Sequence, residues 1–234
     1  LLIPSIKNKN LHILLNGFHG SMGKSIQELL ESRSDVTVQD FKAQEIDSSL
    51  PRVVIDFSSP DCLPAVLQAC LDQRLPLITG TTGFSEEHRS LLTQAQAIIP
   101  ILVASNMSIG IANLKQSINC FLETRAGPFT CQITEMHHAN KIDSPSGTAI
   151  EIMRSLEEFL TDKISAPIKV KALRLGKIFG IHRVEFNDGK ESFFFQHIAH
   201  SRNIFARGAV NAAQWISVSA PGIYTFDDFL AKKL

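Results

Sequence analysis

The stretch Leu11-His12-Ile13-Leu14-Leu15-Asn16-Gly17-Phe18-His19-Gly20-Ser21-Met22-Gly23 decides the fold. Its first five residues form a short apolar run, the pattern of a buried strand. The run ends on G-x-x-G-x-x-G, a variant of the dinucleotide fingerprint. Gly17 permits a tight turn, Gly20 lets the backbone approach a pyrophosphate, and Gly23 allows close helix–strand packing. Ile26, Leu29 and Leu30 then recur at helical spacing, which predicts a helix over residues 25–33. The start of that helix would face the phosphates. An acidic residue about 20 positions further on should meet the ribose hydroxyls. Asp40 lies there, although Asp35 competes and either could be a solvated loop carboxylate. No arginine follows Asp40 directly and Lys42 is the nearest cation, which tilts the reading toward NADH, although NADPH also fits.

Outward from this turn the first half alternates strands and helices. Strands are predicted over residues 35–39, 53–57, 75–79 and 98–104. Pro60 suits the first position of a helix running to about residue 71. Ser85 reads as an N-cap, with Glu86 and Glu87 in the first turn. Buried strands alternating with helices imply an α/β fold with a parallel, Rossmann-type sheet. Two further loops fall at strand C-termini, where ligands bind in such sheets. They are Gly80-Thr81-Thr82-Gly83 and Ala104-Ser105-Asn106-Met107-Ser108, and cofactor contact or ordinary capping would explain either.

The second half changes character. Helices are predicted over residues 108–125, 146–160 and 205–218, and strands over 129–136, 168–174, 182–186 and 192–199. Asn187-Asp188-Gly189-Lys190 between two alternating runs signals a hairpin. This grouping predicts a mixed α/β domain with helices on one face of its sheet. The last helix is apolar enough to pack on the first half. Residues 1–107 with 206–234 are therefore read as the dinucleotide-binding domain, and 108–205 as a substrate-binding and oligomerisation domain.

The chemistry concentrates in Glu135-Met136-His137-His138-Ala139-Asn140-Lys141-Ile142-Asp143-Ser144-Pro145-Ser146-Gly147-Thr148-Ala149. His137 and His138 end a strand, so their side chains point to opposite faces and should have different tasks. Lys141 is near enough to reach the same pocket. Asp143 either orients Lys141 or caps the turn. Ser146, Gly147 and Thr148 open a helix whose N–H groups attract a carboxylate, and a plain Ser N-cap has the same pattern. His12, His19, His88 and His182 carry less weight. His197, His200 and Arg202 form a polar cluster expected to stabilise the domain junction.

Composition sets limits. The 234 residues hold 23 basic and 23 acidic side chains, so no charge excess favours nucleic acid. Cys62, Cys70, Cys120 and Cys131 lack metal or redox spacing and are expected to be reduced core thiols. No apolar run approaches ~18 residues, which excludes a membrane-spanning helix on sequence grounds. The first ten residues lack the apolar run of a signal peptide, so a cytoplasmic location is expected.

The turn GFHGSMG, the strand VVIDFSSP, the loop GTTGF, the junction ASNMSIG and the segment EMHHANKIDSPSGTA resemble the dihydrodipicolinate (4-hydroxy-tetrahydrodipicolinate) reductase family. HIAHSRNIFARGAVNAAQWI resembles its C-terminal pattern, and the order is kept along nearly the whole chain. The resemblance implies a Rossmann-type domain, a mixed α/β domain, a homotetramer and a role in lysine and diaminopimelate biosynthesis. It implies NADH or NADPH bound by Gly17, Phe18, His19, Gly20, Ser21, Met22, Gly80, Thr81, Thr82, Ala104, Ser105, Asn106 and Met107. It makes His137 and Lys141 the proton donors, and His138, Gly147 and Thr148, with Ser146 beside them, the contacts to a small cyclic dicarboxylate. Ser21 stands where many members carry arginine, and Met107 where they often carry phenylalanine. The stretch between the second strand and Val53 is also short. A nucleotide-binding regulator without chemistry, or another amino-acid-pathway dehydrogenase, would share part of this pattern. No cysteine beside a histidine suggests an aldehyde dehydrogenase.

Overall fold

The computed structural model describes residues 10–42, 50–159 and 163–231. The readings that fall on residues 1–9, on the short stretch 43–49 and on Leu160 lie outside these. The chain divides into two compact units, Leu1–Met107 with Asn203–Leu234, and Ser108–Arg202.

The chain opens with β1 (Leu11–Asn16), α1 (Ser21–Leu30), β2 (Val36–Asp40) and β3 (Arg52–Asp56). A 3-10 turn, Pro60–Cys62, leads into α2 (Leu63–Gln73), followed by β4 (Leu77–Thr79), α3 (Glu86–Ala95) and β5 (Pro100–Val103). The second unit holds α4 (Ile109–Thr124), β6 (Thr130–His137), α5 (Gly147–Phe159), β7 (Lys169–Arg174), β8 (Gly180–Asn187) and β9 (Ser192–Ala199). The chain returns to the first unit with α6 (Asn203–Ile216), β10 (Gly222–Tyr224) and α7 (Phe226–Ala231).

The first unit is a six-stranded parallel sheet in the order β10-β5-β4-β3-β1-β2. All six residues of β1 are buried, as a strand covered on both faces requires. The strand order reverses between β1 and β3, a switch point that opens a crevice beyond their C-terminal ends. α1 begins at Ser21 rather than residue 25, because Gly20 in extended conformation serves as its N-cap. Gly17 has φ +87°, and a Cβ there would lie 2.4 Å from the Phe57 carbonyl oxygen. No other residue fits that turn without displacing the backbone after β3. His88, in the first turn of α3, completes a capping box with Ser85. Its N–H donates to Ser85 Oγ at 3.3 Å, and its ring Nδ1 accepts from the Ser85 N–H at 3.2 Å. β10 and α7 were not anticipated.

The second unit is a mixed four-stranded sheet in the order β7-β6-β8-β9, with β6 and β7 parallel and the other pairs antiparallel. The β8–β9 hairpin closes as expected, with Asp188 Oδ1 accepting from the Lys190 and Glu191 N–H groups at 2.9 Å each. Its core joins α4 and α5 to Phe129, Ile133, Val184 and Phe186. All four cysteines are free thiols, and Cys70 and Cys131 are buried as expected, whereas Cys62 is half-buried and Cys120 exposed. Among the described residues no helix is long and apolar enough to cross a membrane.

Candidate active site

In the first unit the loops at the strand ends are tied together by Asp56, which is wholly buried. Asp56 Oδ1 accepts from Asn16 Nδ2 at 2.8 Å and Ser58 Oγ at 2.5 Å. Its Oδ2 accepts from Thr79 Oγ1 at 3.0 Å and Thr81 Oγ1 at 2.8 Å. The four donors come from the ends of β1 and β4 and from the loops after β3 and β4. One carboxylate thus sets the geometry of the glycine turn, the Ser58 loop and the Gly80–Thr81–Thr82 loop. Sequence reasoning passed over Asp56; an acidic residue between Ile55 and Phe57 in a buried strand was its available signal.

The glycine turn fits a dinucleotide. A Cβ at Gly23 would lie 2.3 Å from the Gly17 oxygen, so the helix and the turn pack backbone to backbone. A Cβ at Gly20 would meet only the Gly17 oxygen, at 3.2 Å, leaving the helix start open to an anion. Phe18 and Met22 are half-buried there, and His19 and Ser21 are exposed. Asp40 closes β2, with its Oδ2 3.6 Å from His19 Nε2 and its Oδ1 accepting from the Lys42 N–H at 3.0 Å. Ala104, Asn106 and Met107 are buried after β5, and Ser105 is exposed.

In the second unit the inward face of the sheet has two halves. Toward one end it is apolar, with Cys131, Ile133, Val184 and Phe186. At the other end the same alternation turns polar: Glu135 and His137 on β6, His182 on β8 and His197 on β9. Pairing sets Glu135 opposite His182, and His182 opposite His197. Arg174 pairs with His137 at the end of β7.

His137 is 8% exposed. Its Nδ1 bonds Glu135 Oε2, and its ring stands edge-to-face to His182 with centroids 5.2 Å apart. Glu135 Oε1 accepts from Arg174 Nη2 at 2.8 Å and from the Ser146 N–H at 3.1 Å. Burial pushes the Glu135 carboxyl up, but the donors Arg174, His137 and Ser146 outweigh it and hold it below the ordinary glutamate value. Burial pushes His137 below the ordinary histidine value, against the pull of Glu135. Lys141 Nζ contacts Asp143 Oδ1 at 2.8 Å, an ion pair that sets the direction of the lysine.

Ser146 caps α5: its Oγ accepts from the Ala149 N–H at 3.3 Å. The first full helical bond runs from the Ile150 N–H to the Ser146 oxygen, so Gly147 and Thr148 form the helix start. A Cβ at Gly147 would meet nothing within 4 Å. β6 ends at His137, and half-buried His138 follows it. His137, Lys141 and the α5 start therefore belong to one continuous segment. Sequence patterns alone put little weight on His182 and none on Arg174, and assign Glu135 no role. His197 stands in the polar row of the sheet rather than in a separate cluster with exposed His200.

Comparison with known proteins agrees over both units. The family model described as "Dihydrodipicolinate reductase, N-terminus" matches residues 11–107, and "Dihydrodipicolinate reductase, C-terminus" matches 111–230. A 4-hydroxy-tetrahydrodipicolinate reductase of Bdellovibrio bacteriovorus is 35% identical over 230 residues, covering 96% of this chain and 98% of the relative. One from Alkaliphilus oremlandii is 34% identical, covering 94% and 98%. Among solved structures, a dipicolinate-bound dihydrodipicolinate reductase from Paenisporosarcina sp. TG-14 has the same fold. Its TM-score is 0.68 at 19% identity, covering 92% of this chain and 97% of that one. With both family models matched in order along the chain, this protein belongs to the dihydrodipicolinate reductase family.

Proposed function

We propose that the protein reduces 4-hydroxy-tetrahydrodipicolinate to tetrahydrodipicolinate at the expense of NADH or NADPH, in lysine and diaminopimelate biosynthesis. The observation that carries this is a buried His137, an aimed Lys141 and the start of α5 on one segment, in a chain that also holds the glycine turn. Gly17, Phe18, His19, Gly20, Ser21 and Met22 hold the pyrophosphate, with Asp40 toward the ribose. Gly80, Thr81, Thr82, Ala104, Ser105, Asn106 and Met107 hold the nicotinamide end. When bound, the reduced nicotinamide supplies the hydride for ring carbon C4.

The chain's own side chains do the rest. His138, Gly147 and Thr148 bind a ring carboxylate, using N–H groups and a hydroxyl at a helix start, while buried Ser146 beside them gives its N–H to Glu135 and holds that start in place. That contact orients the ring. The 4-hydroxyl leaves with a neighbouring ring hydrogen as water, which gives the conjugated ring, and negative charge grows on that ring as the hydride adds at C4. The Lys141 ammonium stabilises that charge, and His137 or Lys141 delivers the compensating proton. The dipicolinate in the Paenisporosarcina structure's name supports a planar dicarboxylate ligand. We further propose that the protein works in the cytoplasm as a homotetramer. Exposed Phe194 and Ile198 on the outer side of β9 support burial against other copies.

The test is oxidation of NADH or NADPH with substrate generated by the preceding synthase. Turnover with either cofactor is expected. Folded protein that turns over neither would overturn the assignment.

A further inference from the structure

We infer that Glu135 is a positioning residue that fixes the ring and the proton placement of His137 and docks the start of α5 beside it. This rests on the reductase reading above. The observation is the company a wholly buried carboxylate keeps. Its neighbours inward on β6, Cys131 and Ile133, are apolar, and a valine at 135 would continue that stripe. A buried carboxylate is costly unless it is fully paired. Here three elements supply the donors. His137 on β6 takes Oε2, while Arg174 on β7 and the Ser146 N–H ahead of α5 share Oε1.

The consequence for His137 is chemical. A carboxylate only accepts, so Nδ1 must carry a proton and Nε2 becomes the nitrogen that gains or gives one. Space around Nε2 is kept by Gly180, where a Cβ would stand 3.1 Å away. The charged and titratable groups facing His137 are Glu135 on its own strand, Arg174 on β7, Lys141 in the following loop and His182 on β8. Burial holds His182 down to about 3, so it adds no second positive charge. Glu135 alone favours the imidazolium; burial, Lys141 and Arg174 oppose it. Because Glu135 also receives the Ser146 N–H, it sets the reacting imidazole and the carboxylate-binding helix start in fixed relation.

The test compares wild type with Glu135→Gln and Glu135→Asp. Nitrogen-15 NMR of the wild-type imidazoles should show neutral His137 protonated on Nδ1. In Glu135→Gln its titration should move down by about one pH unit or more, as when an opposite charge is removed. The falling limb of the kcat profile should move by the same amount, and kcat at neutral pH should drop on the order of tenfold. Glu135→Asp keeps the charge and should restore the titration in part. A loss of folded protein alone would move neither limb nor titration. A wild-type His137 protonated on Nε2, or a titration unchanged in Glu135→Gln, overturns the role of Glu135, whether or not the variant folds well. Wild type that titrates as expected but never oxidises NADH or NADPH overturns the reductase reading and leaves the positioning intact.

Discussion

Ser146 Oγ and His182 Nε2 lie 3.2 Å apart, joining the cap of α5 to the second strand of the polar row. Ser146 Oγ accepts from the Ala149 N–H and keeps its proton and a second lone pair, so it can donate to His182 Nε2 or accept from it. Burial holds the His182 imidazole down to about 3, so the ring that meets Ser146 is neutral at ordinary pH.

The neutral His182 makes stability depend on pH. Its folded value lies below the ordinary 6.5, so between about 3 and 6.5 the unfolded chain binds the extra proton. Stability is then full above 6.5 and falls as pH drops toward 3, with a slope from this group of up to about 1.4 kcal/mol per pH unit. His137 and His197, both also shifted down by burial, act in the same direction. Urea unfolding between pH 4 and 7 should show this slope, and His182→Gln should flatten it. Equal slopes in the two proteins would remove His182 as its source.

His137→Gln should lower kcat by roughly 10²–10³ with a modest change in KM, the loss expected for acid catalysis. Glutamine can still donate toward Glu135, so the fold should persist. Steady-state rates across pH check this, and an unchanged kcat would take His137 out of the chemistry.

Lys141→Ala should both lower kcat and raise KM, because the ammonium is asked to stabilise charge and to help hold the substrate. A change in kcat alone, with KM at its wild-type value, would confine the lysine to proton delivery.

Asp56→Asn should destabilise the first unit by about 2 kcal/mol, since an amide nitrogen then faces hydroxyl donors in a buried site. NADH affinity should fall with it, while dipicolinate binding should hold. Calorimetric titration of the two ligands separates the effects, and parallel loss of both would contradict a role confined to the nucleotide loops.

Asp40→Ala should raise KM for NADH roughly tenfold, the loss of a charge-assisted hydrogen bond, and leave KM for NADPH unchanged or lower. Equal change for the two cofactors would place the ribose elsewhere.

Much of the first unit was legible because parallel strands covered on both faces read as unbroken apolar runs, and glycine spacing names its turn. The start of α1 was misplaced because Ser21 and Lys24 hide the first helical turn from an apolar count. β10 has three residues and a glycine at its start, too little for any periodic signal. In the second unit His137, Lys141 and the α5 start were readable, being adjacent in sequence. Glu135, Arg174 and His182 were not, for a different reason. Alternation marks a polar residue as facing inward only if the other face is known, and β6 carries Gln132 and Thr134 on that other face. Their meeting is made by strand pairing across 39 and 47 residues of chain, from Glu135 to Arg174 and to His182. No local pattern encodes it.

Asp56 draws its donors from the ends of β1 and β4 and the loops after β3 and β4, whereas Asp40 stands on β2, the border strand of the sheet. With the ribose role proposed for Asp40, coenzyme choice and scaffold integrity are written in separate places. On that reading, exchanging a phosphorylated for an unphosphorylated coenzyme calls for change at the border strand and leaves the buried Asp56 network as it is.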